Sequence, residues 1–164
     1  MSSASMRAIA QQFLTQPAIP DLNTVLRGWD NQMQLVVSGS VVPVATLACI
    51  HIASESERRV SVPAVLGWRL VDYGLQLQVC HVFDGSGDEV ADSLDALVEA
   101  IKARIRSDPR MGQDPLTVFE AGQGRDPQIQ VRRGDTQYLN TGLANGTPVT
   151  WFVVEWTATE QLNA

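Results

Sequence analysis

The strongest helical pattern in the chain is DEVADSLDALVEAIKARIRSD, which spans residues 88–108. Its apolar residues recur every three or four positions, so they form one stripe along a helix whose opposite side is charged. The stripe consists of Val90, Leu94, Leu97, Val98, Ile101 and Ile105. A one-sided helix needs a flat apolar partner, so the rest of the chain is expected to supply a sheet.

The sequence also marks both ends of this helix. Ser86 is followed three residues later by Glu89, the capping-box pattern that satisfies the first amide donors of a helix. Acidic residues gather near its start and basic residues near its end, as the helix dipole favours. Pro109 should end the helix, because the residue before a proline is pushed out of helical geometry.

The expected sheet is supplied by several apolar stretches. Residues 68–83 alternate with a period of two, which gives one face to the core helix, and residues 44–54 are apolar on both faces, as in a central strand. Shorter strands are predicted at 116–121 and 149–157, and a helix at 2–16. The predicted fold class is α/β in the α+β sense: a mostly antiparallel sheet with a long amphipathic helix and an N-terminal helix packed on one face.

Length and composition indicate one domain over residues 1–164. The formal net charge is -6 and no basic block is present, so direct recognition of nucleic acid is not expected. The N-terminal residues lack the basic-then-apolar profile of a secretory signal. The most apolar run, at 41–53, is too short to cross a bilayer and contains Pro43. We therefore expect a soluble protein that is made in the cytoplasm and has no membrane partner.

The residues that could carry chemistry do not form a convincing site. Cys80 and His81 are neighbours on a predicted strand, so they point to opposite faces and cannot join Cys49 and His51 in one zinc site. Both cysteines are expected to be free and buried. An acidic run resembles a calcium loop, but Glu89 occupies the position that requires glycine. The sequence predicts no catalytic residue, cofactor or metal; a small enzyme or ligand-binding domain near the two histidines is kept as the least favoured alternative.

Three other regions are candidates for contacts with partners. Residues 55–59 are predicted to form an exposed charged turn between two apolar strands. Residues 122–148 are rich in Gly, Asn, Gln and Thr and are predicted to form a long polar arm, with a short hairpin at most, that becomes ordered against a partner. Trp29 is the tryptophan best placed for an interface. The predicted contact residues are Trp29, Glu55, Glu57, Arg58, Arg59, Arg132, Arg133 and Tyr138.

The order of these elements resembles a known family. The turn AIPDLNTV at 18–25 is followed by SESERR at 54–59, the strand YGLQLQV at 73–79 and the helix LDALVEAIKARIRSDP at 94–109. This order is similar to that of the tail terminator (tail completion) proteins of long-tailed bacteriophages, especially phages of actinobacterial hosts. The resemblance covers roughly residues 6–121, and the region after 122 departs from it.

The resemblance implies a structural protein rather than an enzyme. It implies a six-membered ring of identical subunits that caps the phage tail tube, ends tail polymerisation and offers a surface to the head-tail connector proteins. The expected partners are a second copy of the chain, the major tail tube protein and the connector, with DNA only passing through the ring. The expected location is the virion, at the tail or neck, after synthesis in the bacterial cytoplasm. A head-closure or connector protein of the same neck is the alternative.

Overall fold

The computed structural model describes residues 2–28, 45–60, 68–83, 85–108, 110–113, 119–120, 128–139 and 147–163. These residues form two helices and six strands: α1 Ser3–Thr15, β1 Thr24–Leu26, β2 Leu47–Val60, β3 Trp68–Val82, α2 Gly87–Ser107, β4 Phe119–Glu120, β5 Gln130–Leu139 and β6 Thr147–Asn163.

All six described strands belong to one sheet. Its order is β1-β2-β3-β6-β4, and β5 also pairs with β6. The long strands β2, β3 and β6 are mutually antiparallel, and the short β1 is parallel to β2. Because β3 occupies one side of β6 along its length, β4 and β5 both lie on the other side of β6. The predicted α+β class with a mostly antiparallel sheet is confirmed.

Both helices pack on one face of this sheet and share a single apolar core with it. The whole stripe predicted for α2 is buried, as is the alternating set that β3 contributes. The strand side of the core consists of Val25, Ala48, Ile50, Val71, Tyr73, Leu75, Leu77, Val79, Phe152, Val154, Trp156 and Ala158, and α1 adds Met6, Ala10, Phe13 and Leu14. Burying each large apolar side chain contributes roughly 1.5–3 kcal/mol, so this layer is the main source of stability.

The helix ends follow the local signals in the sequence. Ser2 caps α1 by accepting a hydrogen bond from the Ser5 amide at 3.3 Å. At the start of α2, the Ser86 amide donates to the Glu89 carboxylate at 2.7 Å, which completes the predicted capping box. This bond keeps the pKa of Glu89 below its ordinary value. Near the other end of α2, the Arg104 guanidinium donates to the Phe13 carbonyl of α1 at 3.2 Å and to the Pro17 carbonyl just after α1 at 2.7 Å, which ties the two helices together.

The prediction of a charged turn at residues 55–59 is wrong. Glu55, Glu57, Arg58 and Arg59 lie within β2, which continues to Val60 in register with β3. A bulge between Ile52 and Ser54 precedes this charged half of the strand. The half remains a strand because its backbone continues to pair with β3, and local composition does not reveal that pairing. The exposure predicted for these four side chains is confirmed.

The prediction of a loosely packed polar arm at 122–148 is also wrong for those of its residues that the structure describes. Gln130–Leu139 forms the 10-residue strand β5, which pairs with β6 rather than within a small separate hairpin. Its register shifts between Arg133 and Thr136, where Gly134 allows a close approach. A Cβ atom on Gly134 would lie 3.1 Å from the carbonyl oxygen of Trp151. Residues 121–127 and 140–146 lie outside the described part of the chain.

The remaining strand predictions differ from the structure mainly in length. The strand predicted at 149–157 extends over Thr147–Asn163, and the strand predicted at 116–121 is described only as Phe119–Glu120. The predicted helix at 2–16 and the long strand at 68–83 are each confirmed within one residue at either end.

Candidate assembly surface

The predicted contact residues lie at the two opposite sides of the sheet. Glu55, Glu57, Arg58 and Arg59 lie on β2, whereas Arg132 and Arg133 lie on β5. The strands β3 and β6 separate the two groups. Tyr138 is also in β5, where its backbone is opposite Pro148. Trp29 lies outside the described residues, so its predicted role at an interface has no structural counterpart.

The group on β2 is held in place by charge pairs to β3. Arg58 lies 3.4 Å from the carboxylate of Asp72, and Glu57 lies 3.6 Å from Arg69. Asp72 also accepts a hydrogen bond from the Thr159 hydroxyl at 2.6 Å, which links the pair to β6. Ion pairs this exposed contribute at most about 1 kcal/mol each, so their main effect is to fix the orientation of the charges.

The outer edge of β2 is only partly covered by a neighbouring strand. The three residues of β1 pair with Leu47, Ala48 and Cys49. From Ser54 to Arg59, no strand among the described residues pairs with this edge. An uncovered edge offers backbone donors and acceptors to another strand, and charged side chains on it discourage non-specific pairing. This half of β2 therefore has the character of a selective contact surface.

The group on β5 is anchored to both layers of the protein. Arg132 forms an ion pair with Glu155 on β6, and Gln76 on β3 donates to the same carboxylate at 2.6 Å. Arg133 points to the opposite face and forms an ion pair with Asp95 on α2. The two arginines therefore hold β5 against the sheet on one side and against the helix on the other. Glu155 and Asp95 were not predicted as partners, because neither contact can be inferred without the strand register.

A shallow open pocket of about 260 Å³ lies beside the bulge of β2. Its lining comes from the ends and middles of neighbouring strands: Ala53, Ser54, Gly74, Leu75, Gln128, Gln130, Glu155, Trp156 and Thr157. Glu155 is the carboxylate of this lining, and Arg132 already neutralises it. Neither His51 nor His81 belongs to the lining, so the alternative of a catalytic pocket at the histidines gains no support from this cavity.

His81 is a buried connector between the helix and the sheet. Its Nδ1 lies 3.2 Å from the Thr46 hydroxyl and its Nε2 lies 3.2 Å from the Ser93 hydroxyl on α2. Burial lowers the pKa of His81, and the charge of Asp21 opposes that shift only in part. A neutral imidazole with both ring nitrogens in hydrogen bonds suits a structural role. The contacts with Thr46 and Ser93 were not predicted, because nothing in the local sequence marks them.

The second histidine and the two cysteines lie elsewhere. Nε2 of His51 is 3.0 Å from Sγ of Cys49, and burial, followed by the charge of Arg7, lowers the pKa of His51. Cys49 and Cys80 are both buried and do not form a disulfide bond, as predicted, and burial raises the pKa of Cys80 to about 12. Within the described ranges, no three His, Cys, Asp or Glu side chains are grouped so that they could hold a metal ion.

The described helices and the comparisons with known proteins complete this description. Of α1 and α2, the two helices that the structure describes, neither combines the length and the apolar character needed to cross a membrane. Comparison with models of known protein families and with curated protein sequences finds no match to this chain.

Proposed function

We propose that this chain is the subunit of a ring that caps the tail tube of a long-tailed bacteriophage, ends tail polymerisation and joins the tail to the head connector. The observation that supports this most is the separation of the two predicted contact groups onto opposite sides of one sheet. In a closed ring each subunit meets its two neighbours through two different surfaces. A protein with both groups on one side could form a dimer through them but not a ring.

In this proposal the chain acts by binding, not by catalysis. Identical subunits close into a ring, which the resemblance implies has six members, and one ring face covers the last layer of tube protein so that no further layer can add. The other ring face remains for the connector. The partners are further copies of the chain, the major tail tube protein and the connector proteins, and the location is the virion. No cofactor takes part.

Polymerisation of tail tubes in the presence of the chain tests this function. Major tail tube protein is assembled with and without the chain, and tube lengths are measured by negative-stain electron microscopy. We expect tubes that stop growing and carry a ring at one end. Tubes of unchanged length without a terminal ring, or a chain that binds purified heads and ignores tubes, would refute the proposal.

A charge-reversal variant identifies the surface involved. Arg58→Glu with Arg59→Glu should fold normally and reduce the fraction of capped tubes, since both side chains are exposed on β2. The matched control is Arg106→Glu with Arg110→Glu, which makes the same charge change at exposed positions away from the sheet edges. Equal capping by the two double variants would exclude the β2 group from the contact.

A further inference from the structure

We propose that successive copies of this chain join edge to edge, with the outer edge of β5 in one subunit pairing antiparallel with the outer edge of β2 in the next. The inference rests on the proposed ring and names the surfaces that close it. The partner that these surfaces fit is a second copy of this chain.

The first support is that both edges are uncovered in the described part of the chain. On the side of β2 that faces away from β3, no described strand pairs with the residues from Ser54 to Arg59. Among the described strands, β5 pairs with β6 alone. The side chains of both segments are exposed, including those from Arg132 to Gln137. Each edge therefore offers backbone hydrogen-bonding groups that another strand can satisfy.

The second support is the direction of the strands. The pairs β2–β3, β3–β6 and β6–β5 are all antiparallel, so β5 runs opposite to β2. Rotation about an axis that runs roughly along the strands preserves strand direction from one copy to the next. The β5 edge of one copy then meets the β2 edge of its neighbour in the antiparallel sense. This contact joins two different surfaces, so it is repeated until the rotation closes.

The third support is a charge match on the helix side of the sheet. Glu55 accepts a hydrogen bond from the Ser3 hydroxyl of α1, which places its side chain on that side. Arg133 forms its ion pair with Asp95 of α2, so it lies on the same side. A register that sets Glu55 opposite Arg133 therefore brings opposite charges together, an arrangement that stabilises cross-strand pairs.

The charges on the other face select the same register. It sets Ser56 opposite Arg132 and Arg58 opposite Gln130, so no like charges are directly opposite. A slip of one residue would exchange the two faces, which the alternation of a strand forbids. A slip of two residues one way sets Arg58 directly opposite Arg132, and a slip of two the other way leaves Arg133 opposite Ala53. The register with Glu55 opposite Arg133 is the one in which charges attract without repulsion.

Thiol cross-linking tests the pairing directly. The variant Ser56→Cys with Arg132→Cys carries two thiols that the proposed register brings together between different subunits. Treatment with a short bismaleimide should give a ladder of covalent oligomers that continues past the dimer, because each subunit links to two neighbours. The parent serves as the control for Cys49 and Cys80, which are buried.

A second variant controls for random collision. Ser56→Cys with Ser107→Cys carries the same number of new thiols, but Ser107 is exposed at the end of α2, away from both edges. We expect at most a weak dimer from it. Equal ladders from the two variants, or no ladder from Ser56→Cys with Arg132→Cys at any concentration up to the solubility limit, would overturn the pairing.

Charge neutralisation gives an independent measurement. Glu55→Gln alone and Arg133→Gln alone should each reduce self-association at least several-fold in sedimentation velocity. The double variant should lose no more than the weaker of the two single variants, because both changes remove the same contact. Losses that add in the double variant would overturn the register. Tube capping is measured separately, so that the function and the pairing can fail independently. If the parent caps tubes but the cross-linking variant gives no ladder, the proposed function stands and the proposed pairing is refuted. If the cross-linking variant gives a ladder but the parent caps no tubes, the proposed pairing stands and the proposed function is refuted.

Discussion

His81 shows how one side chain can join parts of the fold that are distant in sequence. It links β3 to Ser93 of α2 and to Thr46 just before β2. Thr46 in turn accepts a hydrogen bond from the Val82 amide at 3.4 Å, and its own amide donates to Asn23 at 3.1 Å. Four segments therefore depend on an imidazole that burial keeps neutral.

Stability should fall as the pH falls below about 6.5. The pKa of His81 is lowered in the folded protein, so the unfolded chain takes up a proton first, and folding loses free energy as the pH drops from the unfolded pKa toward the folded pKa. Each such histidine contributes a slope of up to about 1.4 kcal/mol per pH unit in this window. Urea unfolding at several values between pH 5 and pH 8 measures it.

The variant His81→Gln separates the contribution of His81 to the pH dependence of stability from that of His51. The glutamine side chain has both a donor group and an acceptor oxygen, so the variant retains part of the network while it loses the titration. Its slope below pH 6.5 should be smaller than that of the parent. His51→Gln is the matched control, since the pKa of His51 is lowered as well and its loss should remove a separate share of the slope. An unchanged slope in His81→Gln would show that His81 does not titrate in this range.

The helix α2 should be the element whose packing most affects stability. Leu97 is 2% exposed within the core. Leu97→Asp would bury an unpaired charge and should reduce the free energy of unfolding by about 3–5 kcal/mol. Ala96→Asp is the control, because it adds the same charge one position away on the exposed side. If the unfolding temperature of Leu97→Asp equalled that of the parent, the role of α2 as the core helix would be contradicted.

The strand β5 should depend on the absence of a side chain at Gly134. Gly134→Ala would push a Cβ atom against the Trp151 carbonyl, so we expect a loss of about 1–2 kcal/mol and faster hydrogen exchange along Gln130–Leu139. Gly87→Ala is the matched control, since a Cβ there meets nothing within 4 Å and alanine favours a helix. Equal exchange rates in the two variants would mean that the close approach at Gly134 does not hold β5 in place.

The elements that the sequence predicted well are those whose pattern is local. The stripe of α2 and the alternation of β3 can be recognised within one element, because each buries a regular set of side chains. The second half of β2 and the strand β5 could not be recognised this way. They are polar, and they form strands because their backbones pair with distant parts of the chain: the second half of β2 with β3, and β5 with β6. For the same reason, the positions of the predicted contact residues could be placed on opposite sides only once the strand order was known.

The helices α1 and α2 cover one face of the sheet, and the sheet extends from β2 on one side to β5 on the other. Val131 of β5 and Ile129, which precedes this strand, pack against the main core, and Arg133 ties β5 to α2. The side of the sheet that carries β5 is therefore part of the folded domain. A contact surface built on β5 is presented rigidly, so a neighbour that binds there pays little entropy for ordering it.

Replacement of residues 128–140 by a short Gly-Ser linker should consequently damage the fold, contrary to what a dispensable arm would allow. The change removes Val131 from the core, removes the ion pairs of Arg132 and Arg133, and uncovers the edge of β6 from Val149 to Glu155, a run that is mostly apolar. An uncovered apolar strand edge promotes aggregation. We expect a lower unfolding temperature and aggregation, both measurable by scanning calorimetry and light scattering. Replacement of residues 141–146 by a linker of equal length leaves β5 and β6 intact and serves as the control. Equal stability of the 128–140 variant and the parent would show that β5 is not part of the stable core.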